Sequence, residues 1–147
     1  MAAGRYEEAL KELTQVRQEF EARVGPRHYL TGLTLSHMAI CMVELGRIEE
    51  ADSASRLAME ILQEWPSTPL DSAAHIRLAR GHTLLKLGQN AEAREIILPA
   101  WEVVYRITNK ESPWRQMMVR DLAASYRNAG NTAKANADRF YLIIDEA

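Results

Sequence analysis

The sequence runs to 147 residues, enough for one domain with a core, because a chain of this size buries about two-thirds of its unfolded surface. Hydrophobic residues make up 47% and charged residues 26%; this excludes a disordered tail or a collagen-like fibre, and no apolar run approaches the roughly 18 residues that span a bilayer. A net charge of -2 gives none of the basic excess of a general nucleic-acid binder.

The start, Met1 to Leu10, has no basic region followed by an apolar stretch, so no secretory leader is expected. The one cysteine, Cys41, cannot form an internal disulfide, which points to a reduced, cytoplasmic setting. Alanine and leucine together outnumber valine, isoleucine and threonine together, a bias toward helix throughout.

An internal period organises the chain. Four segments align: Gly4–Ala9 (GRYEEA), Gly46–Ala51 (GRIEEA), Gly88–Ala93 (GQNAEA) and Gly130–Ala135 (GNTAKA), each 42 residues after the last. A second column precedes the last three glycines. Ala39, Gly81 and Ala123 are small, and Met42, Leu84 and Tyr126, three residues on, are bulky. Small residues at fixed places let two helices approach closely, and glycine tolerates the left-handed conformation that ends one helix before the next. Each unit is therefore expected to be two antiparallel helices joined at the glycine, the first before it and the second after it.

In chain order, a lone second helix is expected near 4–23, with Tyr6, Leu10, Leu13, Val16 and Phe20 as an apolar stripe. One side of that stripe would meet the next unit. The other would be an exposed apolar patch, suited to upstream sequence or to self-association. After the connector 24–27, a first helix is expected near 28–45 and its second near 46–64. After 65–69 come 70–87 and 89–107, and after 109–113 come 114–129 and 131–146. The single domain, 1–147, thus divides into an orphan helix (1–23) and helix pairs at 24–64, 65–107 and 108–147, about seven helices in all. Thr68-Pro69 and Ser112-Pro113 place a capping hydroxyl before a proline, and Asp71 nearly completes a capping box with Thr68. Pro99 falls inside a second helix, where it deletes one backbone hydrogen bond and should kink the chain. The segment Phe140–Ala147 is apolar almost all round until Asp145, an incomplete cap for the far end.

The run LGRIEEA at Leu45–Ala51, with its small and bulky first-helix columns, resembles the tetratricopeptide repeat. HEAT and armadillo repeats have a similar period, but the Gly-x-x-x-Glu-Ala phrase of Gly46–Ala51 favours the tetratricopeptide family. The 42-residue period and the connector Val24–Thr31 are similar to its kinesin-light-chain subtype. The stretch His82–Trp101 and the short last repeat resemble the C-terminal ends of long bacterial tetratricopeptide proteins, many with a serine/threonine kinase domain upstream. No kinase motif occurs in this chain.

The resemblance implies an all-α, right-handed α-solenoid of antiparallel helix pairs. It also implies that first helices line the concave wall. Groove-facing candidates are then Leu33, Ser36, Ile40, Val43 and Glu44 on the first wall; His75, Leu78, His82, Leu85 and Lys86 on the second; and Met117, Arg120, Ala124, Arg127 and Asn128 on the third. That surface is apolar at one end and basic at the other, which suits a protein segment with apolar anchors and carboxylates. Some relatives grip a C-terminal carboxylate with Lys and Asn one turn apart on the first wall. Here those positions are Ser36 and Ile40, so no such clamp is expected.

Arg77 and Arg80 fall where the family buries Trp or Leu, so they must reach water or pair; Glu49, Glu50 and Glu92 are the candidate partners. His75 and His82 lie two turns apart on one face, too far to share one metal without other ligands. Cys41 reads as a small buried residue, and Trp65, Trp101 and Trp114 as packing residues. No catalytic arrangement has a recognisable context. The expectation is a non-enzymatic scaffold without cofactor, binding protein rather than nucleic acid or membrane. The alternatives are a C-terminal regulatory fragment of a larger bacterial signalling protein and a self-assembling module.

Overall fold

A computed structural model of the chain describes residues 3–135, and all regular structure among them is helical: α1 (Ala3–Arg23), α2 (Tyr29–Glu44), α3 (Ile48–Glu64), α4 (Leu70–Lys86), α5 (Asn90–Ile107) and α6 (Pro113–Asn128). Residues 132–135 are helical as well. The expected cap at Phe140–Ala147 lies outside the described residues.

The period-42 glycines end helices as the pattern requires. Gly46, Gly88 and Gly130 have φ of 76°, 79° and 83°. At the first, the Arg47 N–H donates to the Met42 carbonyl at 2.8 Å and the Gly46 N–H to Val43 at 3.0 Å. The same two bonds recur from Gln89 to Leu84 and Gly88 to Leu85, and again from Asn131 to Tyr126 and Gly130 to Arg127. These are three copies of one left-handed helix stop. The bulky column thus supplies the carbonyl that each stop uses.

The small columns are where helices touch. Ala39 and Ala123 are buried in the first helices, and Ala51, Ala93 and Ala135 face them from the second. Gly81 is the tightest point: a Cβ there would lie 2.3 Å from Ile97 Cγ1 and 2.6 Å from its Cδ1. Ile97 is itself fully buried and has little room to move. Gly81→Val is therefore expected to lower the free energy of unfolding by about 2 kcal/mol through overpacking. Urea unfolding checks this, and an unchanged midpoint would mean that α4 and α5 have slack between them.

First helices pack on one another, α2 on α4 and α4 on α6, whereas α1, α3 and α5 contact first helices only. A row of touching helices backed by a row of separated ones is an α-solenoid bent around its first helices. Its apolar interior has two parts. One joins α1, α2 and α3 around Leu35, Ala58 and Ile61; the other joins α4, α5 and α6 around Leu78, Ile97 and Leu122.

The connectors hold two departures from expectation. Ser112 caps α6, accepting from the Arg115 N–H. Thr68 does not cap α4: its hydroxyl donates back to the Trp65 carbonyl at 2.6 Å, Pro69 takes the cap position, and Asp71 accepts from its own neighbour, Ser72. The tight turn Trp65–Thr68 captures the hydroxyl first. Pro99 does not break α5, which runs through it from Asn90 to Ile107. Both Pro99 and Glu95, whose carbonyl loses its partner, are exposed, so water can serve that carbonyl.

Arg80 is only 8% exposed and reaches across to α3. Its Nη1 donates to Asp52 Oδ1 at 2.6 Å and to Ser55 Oγ at 3.0 Å. The expected partners Glu49, Glu50 and Glu92 are not used. Glu50 pairs instead with Arg47 at 2.6 Å, and all three glutamates lie on exposed helix starts. Arg77 is half-buried. Arg115 is also buried, closing the end of α5: its Nε donates to Thr108 Oγ1 at 3.0 Å and its Nη2 to the carbonyls of Thr108 and Tyr105. A guanidinium there meets the negative end of the helix dipole.

Candidate functional site

The first helices and the inner side of α1 enclose an open cavity of about 850 Å³. Helix periodicity decides its lining. On α2 the residues are His37, Ile40, Cys41 and Glu44, spaced as one face of a helix; α4 adds His75, His82 and Lys86; α6 adds Trp114, Met117, Arg120, Asp121, Ala124 and Arg127. Tyr6, Ala9 and Leu13 come from α1.

Of the groove candidates, Ile40, Glu44, His75, His82, Lys86, Met117, Arg120, Ala124 and Arg127 lie on this wall. Ser36, Val43, Leu78 and Leu85 do not. Ser36, Val43 and Leu78 are buried between helices, and Leu85 is half-buried against the α4–α6 core. Ser36 and Val43 each precede a lining residue by one position, which on a helix is a turn of about 100° away from the groove. The apolar Leu78 and Leu85 are drawn into the α4–α6 core instead. Leu33 and Asn128 are also absent from the lining. The residues not foreseen are His37, Trp114, Asp121 and the α1 trio. His37 and Asp121 occupy the same repeat position, one residue past Ser36 and Arg120.

Two histidine clusters cross the wall. In the first, the His37 and His75 rings lie 3.9 Å apart, and His75 lies 5.0 Å from Trp114. His75 Nδ1 is 3.1 Å from Ser36 Oγ. Because Ser36 gives its own proton to the Leu33 carbonyl at 2.6 Å, the imidazole is the donor in that pair. Burial, and then the neighbouring His37, push the His75 pKa down to about 3, and burial lowers His37 too. This stack is neutral and apolar in character.

The second cluster is ionic. His82 Nε2 is 2.9 Å from Glu44 Oε1, and its Nδ1 is 2.9 Å and 3.1 Å from the two Asp121 oxygens. A ring with a carboxylate at each nitrogen is satisfied only when both nitrogens carry protons. Burial opposes that charge, but the hydrogen bonds and charges of Asp121 and Glu44 outweigh it and raise the His82 pKa. Cys41 is buried beside this cluster and its thiol is pushed up by burial, which leaves it protonated and unreactive.

Around these clusters the wall is zoned. Ile40, Trp114, Met117 and Leu13 form its apolar part. Lys86, Arg120 and Arg127 are exposed and give its open part a positive character, while the carboxylates Glu44 and Asp121 face His82. Among the described residues no group of three His, Cys, Asp or Glu is placed to hold a metal ion, and no helix is long and apolar enough to cross a membrane.

The tetratricopeptide repeat family model matches residues 1–64. The match takes in α1, α2 and α3. The later helices repeat the geometry of the matched part, with the same glycine stop at the same interval and the same small-residue contact, so the fold is a tetratricopeptide-like α-solenoid. Tetratricopeptide repeats generally mediate protein–protein contacts and are typically non-enzymatic. No curated protein and no solved structure matches the chain.

Proposed function

We propose that this chain is a non-enzymatic scaffold that holds a segment of a partner protein in the cavity between α2, α4 and α6. The observation that carries the reading is the zoning of one wall: an apolar and aromatic patch beside three exposed cations. An apolar anchor entering between Ile40, Trp114 and Met117 would supply desolvation energy. A carboxylate on the same segment would meet Arg120, Arg127 or Lys86, which set orientation and capture rate more than net affinity. A peptide array with the full chain tests this. Peptides combining aromatic or aliphatic anchors with Asp or Glu should bind, and Arg120→Glu with Arg127→Glu should weaken them at least tenfold. An array without binders, or indifference to that double change, counts against the groove.

A second reading, a unit within a larger signalling protein of the bacterial kinase-linked kind, or one that packs on its own copy, draws on α1. Ala51, Ala93 and Ala135 are fully buried against first helices, whereas their counterpart Ala9 is half-buried and borders the cavity. The upstream reading frame, and light scattering over a concentration series, separate these alternatives. A strict monomer at high concentration removes self-assembly.

A further inference from the structure

We propose that the Glu44–His82–Asp121 bridge is a proton-dependent clamp that sets the spacing of the three first helices, and so the opening of the groove. The inference deepens the groove reading and rests on it for its biological use. Its geometry stands apart from any partner. One side chain on α4 holds α2 through Glu44 and α6 through Asp121, all at about hydrogen-bond distance, and His82 and Asp121 are buried. No other printed side-chain bond among the described residues ties α2, α4 and α6 together at one point.

The chemistry gives the clamp two states. With both nitrogens protonated, the imidazolium donates one charge-assisted bond to each neighbour. Loss of one proton leaves a bare ring nitrogen facing a carboxylate oxygen, and two carboxylates with no cation between them. Contact then turns to repulsion on at least one side, and α2 or α6 must draw back from α4. Around His82 stand Glu44 and Cys41 from α2, Asp121 with Arg120 and Arg127 from α6, Tyr6 from α1, and His75 and Lys86 on α4 itself. The acid that α3 sends toward α4, Asp52, is taken by Arg80. No described acid or base of α5 comes within ion-pairing distance of His82. The three cations of the groove border the clamp without touching it, so a partner's carboxylate bound there would sense its state through space.

The direction follows from linkage. A histidine whose pKa is raised by folding contributes stability that is complete below its ordinary value near 6.5 and is lost as pH rises through the folded value. The clamp is closed at mildly acid and neutral pH and opens on the alkaline side.

The test uses the full chain with no partner added. Histidine-selective NMR should show His82 titrating above the ordinary range. Hydrogen exchange of α6 amides, corrected for the intrinsic pH dependence, should lose at least about tenfold in protection across that titration, as expected for the loss of one charge-assisted bond. In His82→Gln that loss should vanish. Should that variant fail to fold, Asp121→Asn, which keeps shape and removes one charge, should bring the His82 titration down and flatten the α6 response. A His82 that titrates at or below 6.5, or α6 exchange that responds equally in the variants, overturns the clamp. None of these readouts needs a peptide, so failure of the array in the preceding section would sink the groove reading and leave the clamp to be judged here.

Discussion

Asp52→Ala should lower the free energy of unfolding by about 3 kcal/mol, a large share of what a domain this size possesses. The wild-type Asp52 carboxylate is the only acid within ion-pairing distance of the Arg80 guanidinium among the described residues. The Arg80 side chain is 10% exposed, so losing that partner leaves a cation shut away from water, with Ser55 Oγ at 3.0 Å as a remaining acceptor. The cost lies in stranding the charge, not in a large net worth of the pair. A paired change, Asp52→Leu with Arg80→Met, removes both charges and keeps the volume. It should lie within about 1 kcal/mol of the natural chain. Urea unfolding of the three proteins decides the matter. If the single variant is as stable as the natural chain, Arg80 reaches solvent in solution and α3 is not tied to α4 through it.

The second large effect is loss of stability on mild acidification. His75 is held neutral in the stack with His37 and Trp114, its pKa lowered to about 3 by burial and then by His37. The unfolded chain binds a proton there near pH 6.5 and the folded chain does not. Stability from this site is therefore whole above about 6.5 and falls as pH drops toward 3. Between pH 7 and pH 5 the expected loss is roughly 2 kcal/mol. His37, lowered in the same direction, adds to it. Over this interval the His82 contribution is already complete, so the two histidines of α4 act on opposite sides of neutrality and the fold should be most stable near it. Denaturant unfolding at pH 7, 6 and 5 gives the slope, and His75→Phe, which keeps an aromatic ring against His37 and Trp114, should remove most of it. An unaltered slope in that variant would move the acid lability elsewhere.

The apolar stripe of α1 shows where a local pattern stops being informative. Tyr6, Leu10 and Leu13 are on one face by helical spacing alone. Whether that face is bare or covered depends on α2, which buries Leu10 and turns Tyr6 and Leu13 toward the cavity. Val16 remains 37% exposed, so the broad patch expected from the stripe shrinks to its far end. The basic gradient along the groove is tempered in the same manner. Glu44 and Asp121 bring acid into the middle of the wall, but both are directed at His82.

The sequence by itself determined the helices, their glycine stops and their interval. A helix is built from bonds between residues four apart, and a glycine stop from bonds spanning five, so each is written within one short stretch. Ala39, Gly81 and Ala123 marked the close contacts for the same reason: without a larger side chain, two backbones can approach. The tertiary structure alone decided how far each helix is turned about its axis, and with it which neighbours meet. A difference of one residue is about 100°, which is why Ser36 and Val43 are buried while His37 and Glu44 line the cavity. The bonds from His82 to Glu44 and Asp121 join residues 38 and 39 apart, and the Arg80–Asp52 pair spans 28. No local pattern encodes such partners, because they are fixed by the packing of whole helices against one another.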